Sequence, residues 1–309
     1  MKILIVCSDH SGKISPFITE QANSLELLGV EINYFLVDKK GFFGYLKKRK
    51  DLMNTLNDYK PDIIHAHYGL SGLLANLQRK VPVITTYHGS DINDPTVFPF
   101  SRICMMLSVY NIFVSEKIRL KSRLNGKQIR ISCGVDIQLF KPTDKVQARK
   151  KLNLDQSTRY VLFSGSFQNS VKNAELAQRA VSLLTNVELL ELKGYPREQV
   201  AALMNAVDVV LMTSFSEGSP QFVKEAMACN CPIVSVPVGD VPEIIKNIEG
   251  CSISTYEPGD IAGKIKQTFE SGKRTDGRQR IIDLKLDTES IAKRILKIYN
   301  EVEEVRGKR

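Results

Sequence analysis

Short runs of consecutive apolar, often β-branched residues alternate along the chain with longer stretches whose apolar positions recur every three or four residues. The first pattern predicts buried parallel strands and the second predicts helices packed against them, which together make repeated βαβ units. In the first half the strand-like runs fall at Lys2–Cys7, Glu31–Val37, Asp62–Tyr68, Val81–Tyr87, Asn111–Ser115 and Gln128–Ser132. In the second half they fall at Tyr160–Ser164, Val187–Lys193, Asp208–Thr213, Pro232–Pro237 and Cys251–Ser254. The runs beginning at Tyr160 and Val209 are apolar without alternation, as strands covered on both faces must be. No self-similarity of solenoid period is present.

The stretch from Phe140 to Asp155 is polar, carries Pro142 and separates two complete strand–helix series. The expected fold class is therefore α/β, with two Rossmann-like doubly wound domains over residues 1–141 and 142–286. Beyond Asp287, Ile291, Ile295, Ile298 and Val302 recur at helical spacing. They predict a terminal helix over 287–309 that packs back on the first domain. Two such domains facing each other would leave a cleft at the carboxyl ends of their strands, where ligands of open α/β sheets bind.

Composition narrows the class. Hydrophobic residues make up 43% and charged residues 25% of the 309, the balance of a folded chain rather than a disordered one. No apolar stretch approaches the roughly 20 residues that cross a bilayer. The amino terminus runs straight into strand-like sequence rather than a signal peptide, so a cytoplasmic address is expected. Cys7, Cys104, Cys133, Cys229, Cys231 and Cys251 show no second pair at zinc-ligand spacing and are expected to be reduced thiols, with no metal site. The formal charge of +9 is uneven: 19 Lys and Arg face 12 Asp and Glu through Lys141, against 24 and 22 thereafter. The first half is the one expected to meet an anionic partner.

The most specific chemistry sits in Glu217-Gly-Ser-Pro-Gln-Phe-Val-Lys-Glu225, directly after a strand. Ser219 and Pro220 predict a helix start, with Ser219 as N-cap and Pro220 at the first helical position. Glu217 then lies in the loop and Glu225 on the second turn, so both carboxylates can reach one side of the cleft. A carboxylate accepts two hydrogen bonds and suits a diol. Amides at a helix N-terminus suit a phosphate.

These residues resemble the retaining nucleotide-sugar glycosyltransferases of family four, which have the GT-B fold. The resemblance is continuous over most of the chain. It includes Glu217–Ile245, His65–Leu77, Thr86–Asp91, Ile131–Pro142 and Phe163–Val181. It implies that Glu225 binds the nucleotide's ribose, while Glu217, Gly218, Ser219 and Pro220 contact the transferred sugar and its phosphate. Gly165, Ser166 and Lys172 would complete the donor site, with the Lys172 ammonium neutralising the departing diphosphate. His88 would lie beside the reacting centre, so His88, Lys172 and Glu217 are the expected catalytic residues. One departure matters. Members carry Arg where this chain has Ser166, and a hydroxyl cannot supply the bidentate charged contact of a guanidinium. Either Arg130 or Arg197 reaches in, or turnover is weaker, or the donor sits differently.

His65, His67 and His88 are read as ending consecutive strands on one rim, with Asp91 orienting the His88 loop. Gly12, in the turn Ser8–Lys13, is a further acceptor-side candidate, although the glycine spacing of a Walker or dinucleotide fingerprint is missing. Between Lys39 and Lys50 lie Lys39, Lys40, Lys47, Lys48, Arg49 and Lys50 without a carboxylate, interleaved with Phe42, Phe43, Tyr45 and Leu46. That composition suits an anionic membrane surface, a nucleic-acid backbone or a solvated helix face with inward aromatics. Because enzymes of the resembling family often work on lipid-linked acceptors, peripheral binding to the inner face of a membrane is preferred and no nucleic acid is expected.

The expected reaction moves a hexosyl group from a nucleotide diphosphate sugar, UDP rather than GDP, to a hydroxyl of a glycan or lipid-linked acceptor. No Asp-x-Asp segment is present, so metal independence is expected, with no cofactor beyond the sugar-nucleotide substrate. An epimerase of the same fold and a non-catalytic sugar-nucleotide binding protein remain alternatives.

Overall fold

The structure is a computed structural model that describes residues 1–9 and 12–307. His10 and Ser11 of the first strand–helix turn, and the last two positions of the expected terminal helix, lie outside the described residues. The chain divides into two compact units, Met1–Gly134 with Thr288–Arg309, and Val135–Asp287.

The first unit carries a parallel sheet of β1 (Lys2–Ser8), β2 (Glu31–Val37), β3 (Ile63–His67), β4 (Val83–Tyr87), β5 (Tyr110–Phe113) and β6 (Gln128–Arg130), in the order β2-β1-β3-β4-β5-β6. Ile3, Leu4, Ile5, Val6 and Cys7 of β1 are all fully buried, which is what a central strand covered on both faces requires. The chain leaves β1 for β2 on one side and returns to β3 on the other. The strand order therefore switches direction at β1 and β3. The helix Thr288–Gly307 returns to this unit, where Ile291, Ile295, Ile298, Tyr299 and Val302 join Ile3, Ile5 and Ile63 in one core. Each of those side chains contributes roughly 1.5–3 kcal/mol by leaving water.

The second unit carries β7 (Arg159–Phe163), β8 (Val187–Glu191), β9 (Val209–Met212), β10 (Ile233–Ser235) and β11 (Cys251–Ile253), all parallel, in the order β11-β10-β9-β7-β8. Here the order switches between β7 and β9, and crevices at such points are where doubly wound sheets bind ligands. All eleven strands coincide with the apolar runs of the sequence to within about two residues at either end, the usual scatter of element boundaries.

The division between units comes earlier than the expected 141/142. The Val135 amide donates to Leu286 O at 2.9 Å, and Phe140 is fully buried in the second core. The Arg278 guanidinium donates to the carbonyls of Ile137 and Phe140 at 2.9 and 2.8 Å. Residues 135–141 are thus pinned to the second unit by a backbone bond and by the Arg278 side chain, which the polar composition of 140–155 did not reveal. All six cysteines are free, and only Cys251 is even partly exposed.

Candidate functional site

Two loops leave the switch point of the second unit. After β7 the chain passes Gly165 and Ser166 and makes a single 3-10 turn, Ser170–Lys172, before the helix Ala174–Val181. The Asn169 side chain accepts from the Val171 amide at 3.1 Å, and Asn173 takes a left-handed φ of 54° to reset the chain. Thr213, just past β9, donates its hydroxyl to the carbonyls of Lys172 and Asn173 at 3.0 and 2.9 Å. The backbone of Lys172 is therefore fastened to the neighbouring strand end. A Cβ on Gly165 would stand 3.3 Å from Lys172 Cγ, so a glycine there leaves the lysine stem its path. With the stem so guided, Lys172 Nζ donates to Glu217 Oε1 at 2.7 Å.

Glu217 and the helix carrying Glu225 follow β9. The helix spans Gln221–Ala228 and its N-cap is Pro220, with no side-chain cap. This corrects the expected start, in which Ser219 caps and Pro220 opens the first turn. The Ser219 hydroxyl is engaged elsewhere, by the carboxylate of Asp240. Burial pushes the Asp240 carboxyl up, while the charge of Lys224 and the Ser219 hydroxyl pull the other way. Lys224 itself is fully buried. Gly239, beside Asp240, has φ of 58°, and a Cβ there would come within 2.9 Å of Gly218 O. The segment Gly218–Ser219 is thus backed by a loop that only glycine fits.

Glu225 is 3% exposed, and Arg197 Nη2 donates to its Oε1 at 2.5 Å. The Arg197 guanidinium also lies over the Phe140 ring, 4.6 Å from its centroid. Of the cations considered in place of the missing arginine, Arg197 joins the Glu225 carboxylate, whereas Arg130 belongs to the first unit. Ser166 donates to Gln168 Oε1 at 2.7 Å, and the same oxygen accepts from Lys193 Nζ at 2.8 Å. Lys193, Lys224 and Asp240 were not singled out by sequence reasoning. The available signals were a lysine inside an apolar helix pattern and a Gly-Asp pair at a strand end.

In the first unit the histidines do not all end strands. His65 lies within β3, fully buried, opposite Ile5 of β1 and Ile84 of β4. Its ring nitrogens meet the Tyr299 hydroxyl at 2.6 Å and the Thr86 hydroxyl at 2.7 Å. The terminal helix seals it, so it holds the core rather than a rim. Burial drives its pKa down to about 3. His67, the last residue of β3, is equally buried and its pKa is also lowered, first by burial and then by His65 and His88. His67 Nδ1 lies 3.0 Å from His88 Nε2, and Cys133 Sγ stands 3.7 Å from His88 Nδ1. Tyr68 and Phe17 pack their rings around His88, with centroids 4.6 and 4.8 Å away.

Asp91 fixes this loop. Its carboxylate accepts from the amides of His88, Gly89 and Gly69 at 3.1, 2.9 and 3.2 Å. Burial nonetheless pushes its carboxyl up to about 6. Gly12 has φ of 72° and open space where a Cβ would stand, so the turn needs glycine for its backbone and not for room. Among the described residues no three His, Cys, Asp or Glu side chains group to hold a metal ion.

The basic segment forms the helix Gly41–Lys47 and opens the helix Arg49–Tyr59. Tyr45 is buried and Phe42 stacks on Phe100 at 4.7 Å, which leaves Phe43, 78% exposed, as its projecting aromatic. Lys48 pairs with the flanking carboxylates of Asp38 and Asp51 at 3.0 and 3.6 Å, while Lys39, Lys40, Lys47, Arg49 and Lys50 stay exposed. Among the described residues no helix is long and apolar enough to cross a membrane.

Comparison with known proteins matches each half separately. Residues 3–121 match the family described as glycosyl transferase 4-like, and residues 146–285 match glycosyl transferases group 1. A D-inositol 3-phosphate glycosyltransferase of Mycolicibacterium vanbaalenii is 26% identical over 281 residues, covering 71% of this chain and 62% of that protein. The chain thus spans under two thirds of that relative's length. Among solved structures, sucrose-phosphate synthase from Thermosynechococcus elongatus superposes with a TM-score of 0.84 at 18% identity, covering 98% of this chain and 99% of that one. HepE of Anabaena, in complex with UDP-glucose, superposes with a TM-score of 0.72 at 19% identity, covering 97% and 100%.

Proposed function

We propose that the chain, whose halves match glycosyl transferase families separately and whose fold is that of GT-B enzymes, transfers a hexosyl group from a nucleotide diphosphate sugar, UDP rather than GDP, to a hydroxyl of a glycan or lipid-linked acceptor. The observation that carries this reading is the 2.7 Å contact between Lys172 and Glu217, two loop residues meeting at a sheet switch point beside the helix of Glu225. A bound donor would lay its diphosphate against the Lys172 ammonium and the Gly218–Ser219 backbone, and its ribose against Glu225. UDP is favoured because the similar fold of HepE holds UDP-glucose.

In the proposed reaction the bond from the sugar's anomeric carbon to the phosphate oxygen breaks. A bond from that carbon to the acceptor oxygen forms on the same face, with retention. The acceptor's proton passes to the departing phosphate, so neither Glu217 nor Glu225 need act as a nucleophile. Lys172 stabilises the charge that grows on the leaving group, and such fixed donors are worth roughly 2.7–4 kcal/mol each. His88, in contact with His67 and Cys133 on the Asp91-held loop, is the proposed acceptor-side residue of the first unit. This chemistry needs no metal and no cofactor besides the donor. Lys47, Arg49, Lys50 and Phe43 would bring the first unit to an anionic membrane carrying the acceptor.

The test is incubation with radiolabelled UDP- and GDP-sugars and a lipid extract. Label moved into an acceptor supports the proposal. Isomerised free sugar nucleotide would identify an epimerase, and saturable binding without turnover would identify a sugar-nucleotide binding protein.

A further inference from the structure

Two large aromatic rings stand in solvent on the second unit. Phe215 is 64% exposed and Tyr256 41% exposed, and neither hangs free on a mobile stem. The Phe215 amide donates to Val171 O at 2.9 Å, and the Tyr256 hydroxyl donates to Ser214 O at 3.1 Å. The rings are parallel to within 8°, with centroids 6.3 Å apart. They border a cavity of about 370 Å³ whose other walls are Asn173, Glu175, Leu176 and Arg179. That volume lies within the roughly 300–1,000 Å³ of small-ligand sites.

The chemistry of this wall selects its occupant. Glu175 and Arg179 are four residues apart on one helix, so they share a face and their charges cancel. A nucleic-acid backbone or a phosphate would meet the Glu175 carboxylate, and an acyl chain would meet three polar side chains. A sugar ring fits both features: its C–H face lies flat on an aromatic ring, and its hydroxyl rim exchanges hydrogen bonds with amide, carboxylate and guanidinium. Two parallel rings, with centroids 6.3 Å apart, offer that surface to a glycan.

We propose that Phe215 and Tyr256, with Asn173, Glu175 and Arg179, form a binding platform for a neutral glycan chain. Phe215 lies two residues before Glu217, and Val171, which anchors it, precedes Lys172. The platform is therefore continuous with both loops of the donor site. Assigning the bound glycan as the extension of the acceptor rests on the proposed transferase reading, whereas glycan binding itself does not.

The experiment is saturation-transfer NMR of the full chain with maltohexaose, cellohexaose and mannohexaose, alongside separate titration with UDP-glucose. The wild type should receive saturation from its aromatic protons into at least one hexasaccharide. Phe215→Ala with Tyr256→Ala should weaken that binding roughly tenfold, the scale of losing two stacking partners. Both residues are exposed, and an unchanged melting temperature verifies that the variant is folded. Absence of transfer to all three glycans, or unchanged affinity in the double variant, overturns the platform even where UDP-glucose binds. Glycan binding without UDP-glucose binding supports the platform and counts instead against the donor site.

Discussion

Lys172 and Glu217 lie 45 residues apart in the chain, yet the ammonium of one donates to the carboxylate of the other at 2.7 Å. The pair is held from behind, because Thr213 fastens the Lys172 carbonyl and Gly239 leaves room for the Gly218 backbone. With 21% and 16% of their side chains exposed, both groups remain reachable, as the proposed contact of the ammonium with a diphosphate requires.

Lys172→Met should therefore lower kcat about 10²- to 10³-fold with little change in melting temperature. Steady-state kinetics with the accepted donor checks this. Glu217→Gln should also impair turnover, and the double variant should lose no more than the worse single one, since the two side chains act through one contact. Additive losses would separate their roles.

Arg197→Ala should be harmful for a different reason. It strands the Glu225 carboxylate, 3% exposed, without its cation, and breaking a buried pair costs roughly 3–5 kcal/mol. Urea unfolding should show the loss, and the donor KM should rise more than kcat falls. Arg197→Lys should recover only part, because an ammonium keeps the charge but not the guanidinium's place over the Phe140 ring.

Lys224 and Asp240 are predicted to be a coupled pair behind Ser219. Lys224→Met or Asp240→Asn alone should destabilise the fold, Asp240→Asn the more, because Lys224 is fully buried and Asp240 is the carboxylate whose charge it meets. The double variant should be more stable than the sum of those losses allows, as read from urea midpoints. Strict additivity would show that the two do not interact.

Stability should fall in acid. His65 and His67 have folded-state pKa values below the ordinary 6.5, so their contribution is complete above that pH and is lost as pH falls toward the folded values. The slope is up to about 1.4 kcal/mol per pH unit for each histidine. Asp91 acts with the opposite sign. Its pKa is raised to about 6, so its contribution is present below 3.8 and is lost as pH rises through 6. The histidines outnumber it, and the net unfolding free energy should drop between pH 6.5 and 4. A His65 resonance titrating near 6.5 in NMR would contradict this burial.

Membrane binding should depend on Lys47, Arg49 and Lys50 but little on Lys48, whose charge Asp38 and Asp51 already meet. Replacing Lys47, Lys48, Arg49 and Lys50 together by Ser should abolish sedimentation with anionic vesicles, at about 1 kcal/mol for each cation near the lipid. Lys48→Ser alone should leave it nearly intact. Unchanged sedimentation of the fourfold variant rules out this patch as the anchor.

The eleven strands and the return of a C-terminal helix were legible in the amino-acid order because both are written in local apolar periodicity. The strand, tight loop and helix that carry Glu217, Gly218 and Glu225 were legible as well, since they follow one another without interruption. What failed was whatever depends on residues distant in sequence. Ser219 is a good local N-cap, but the Asp240 carboxylate from the next strand's loop engages its hydroxyl, and the helix begins after Pro220. His65 reads as a strand-end histidine until Tyr299, 234 residues later, closes over it.

Sequence by itself thus determined the α/β class, the two strand–helix series and the loop that follows β9, because hydrophobic period and turn residues act over a few neighbours. Tertiary structure alone decided that Lys172 meets Glu217, that Arg197 holds Glu225, and that Phe215 faces Tyr256. Side-chain partners across 28 to 45 residues are set by strand order and loop geometry, which the local pattern does not encode.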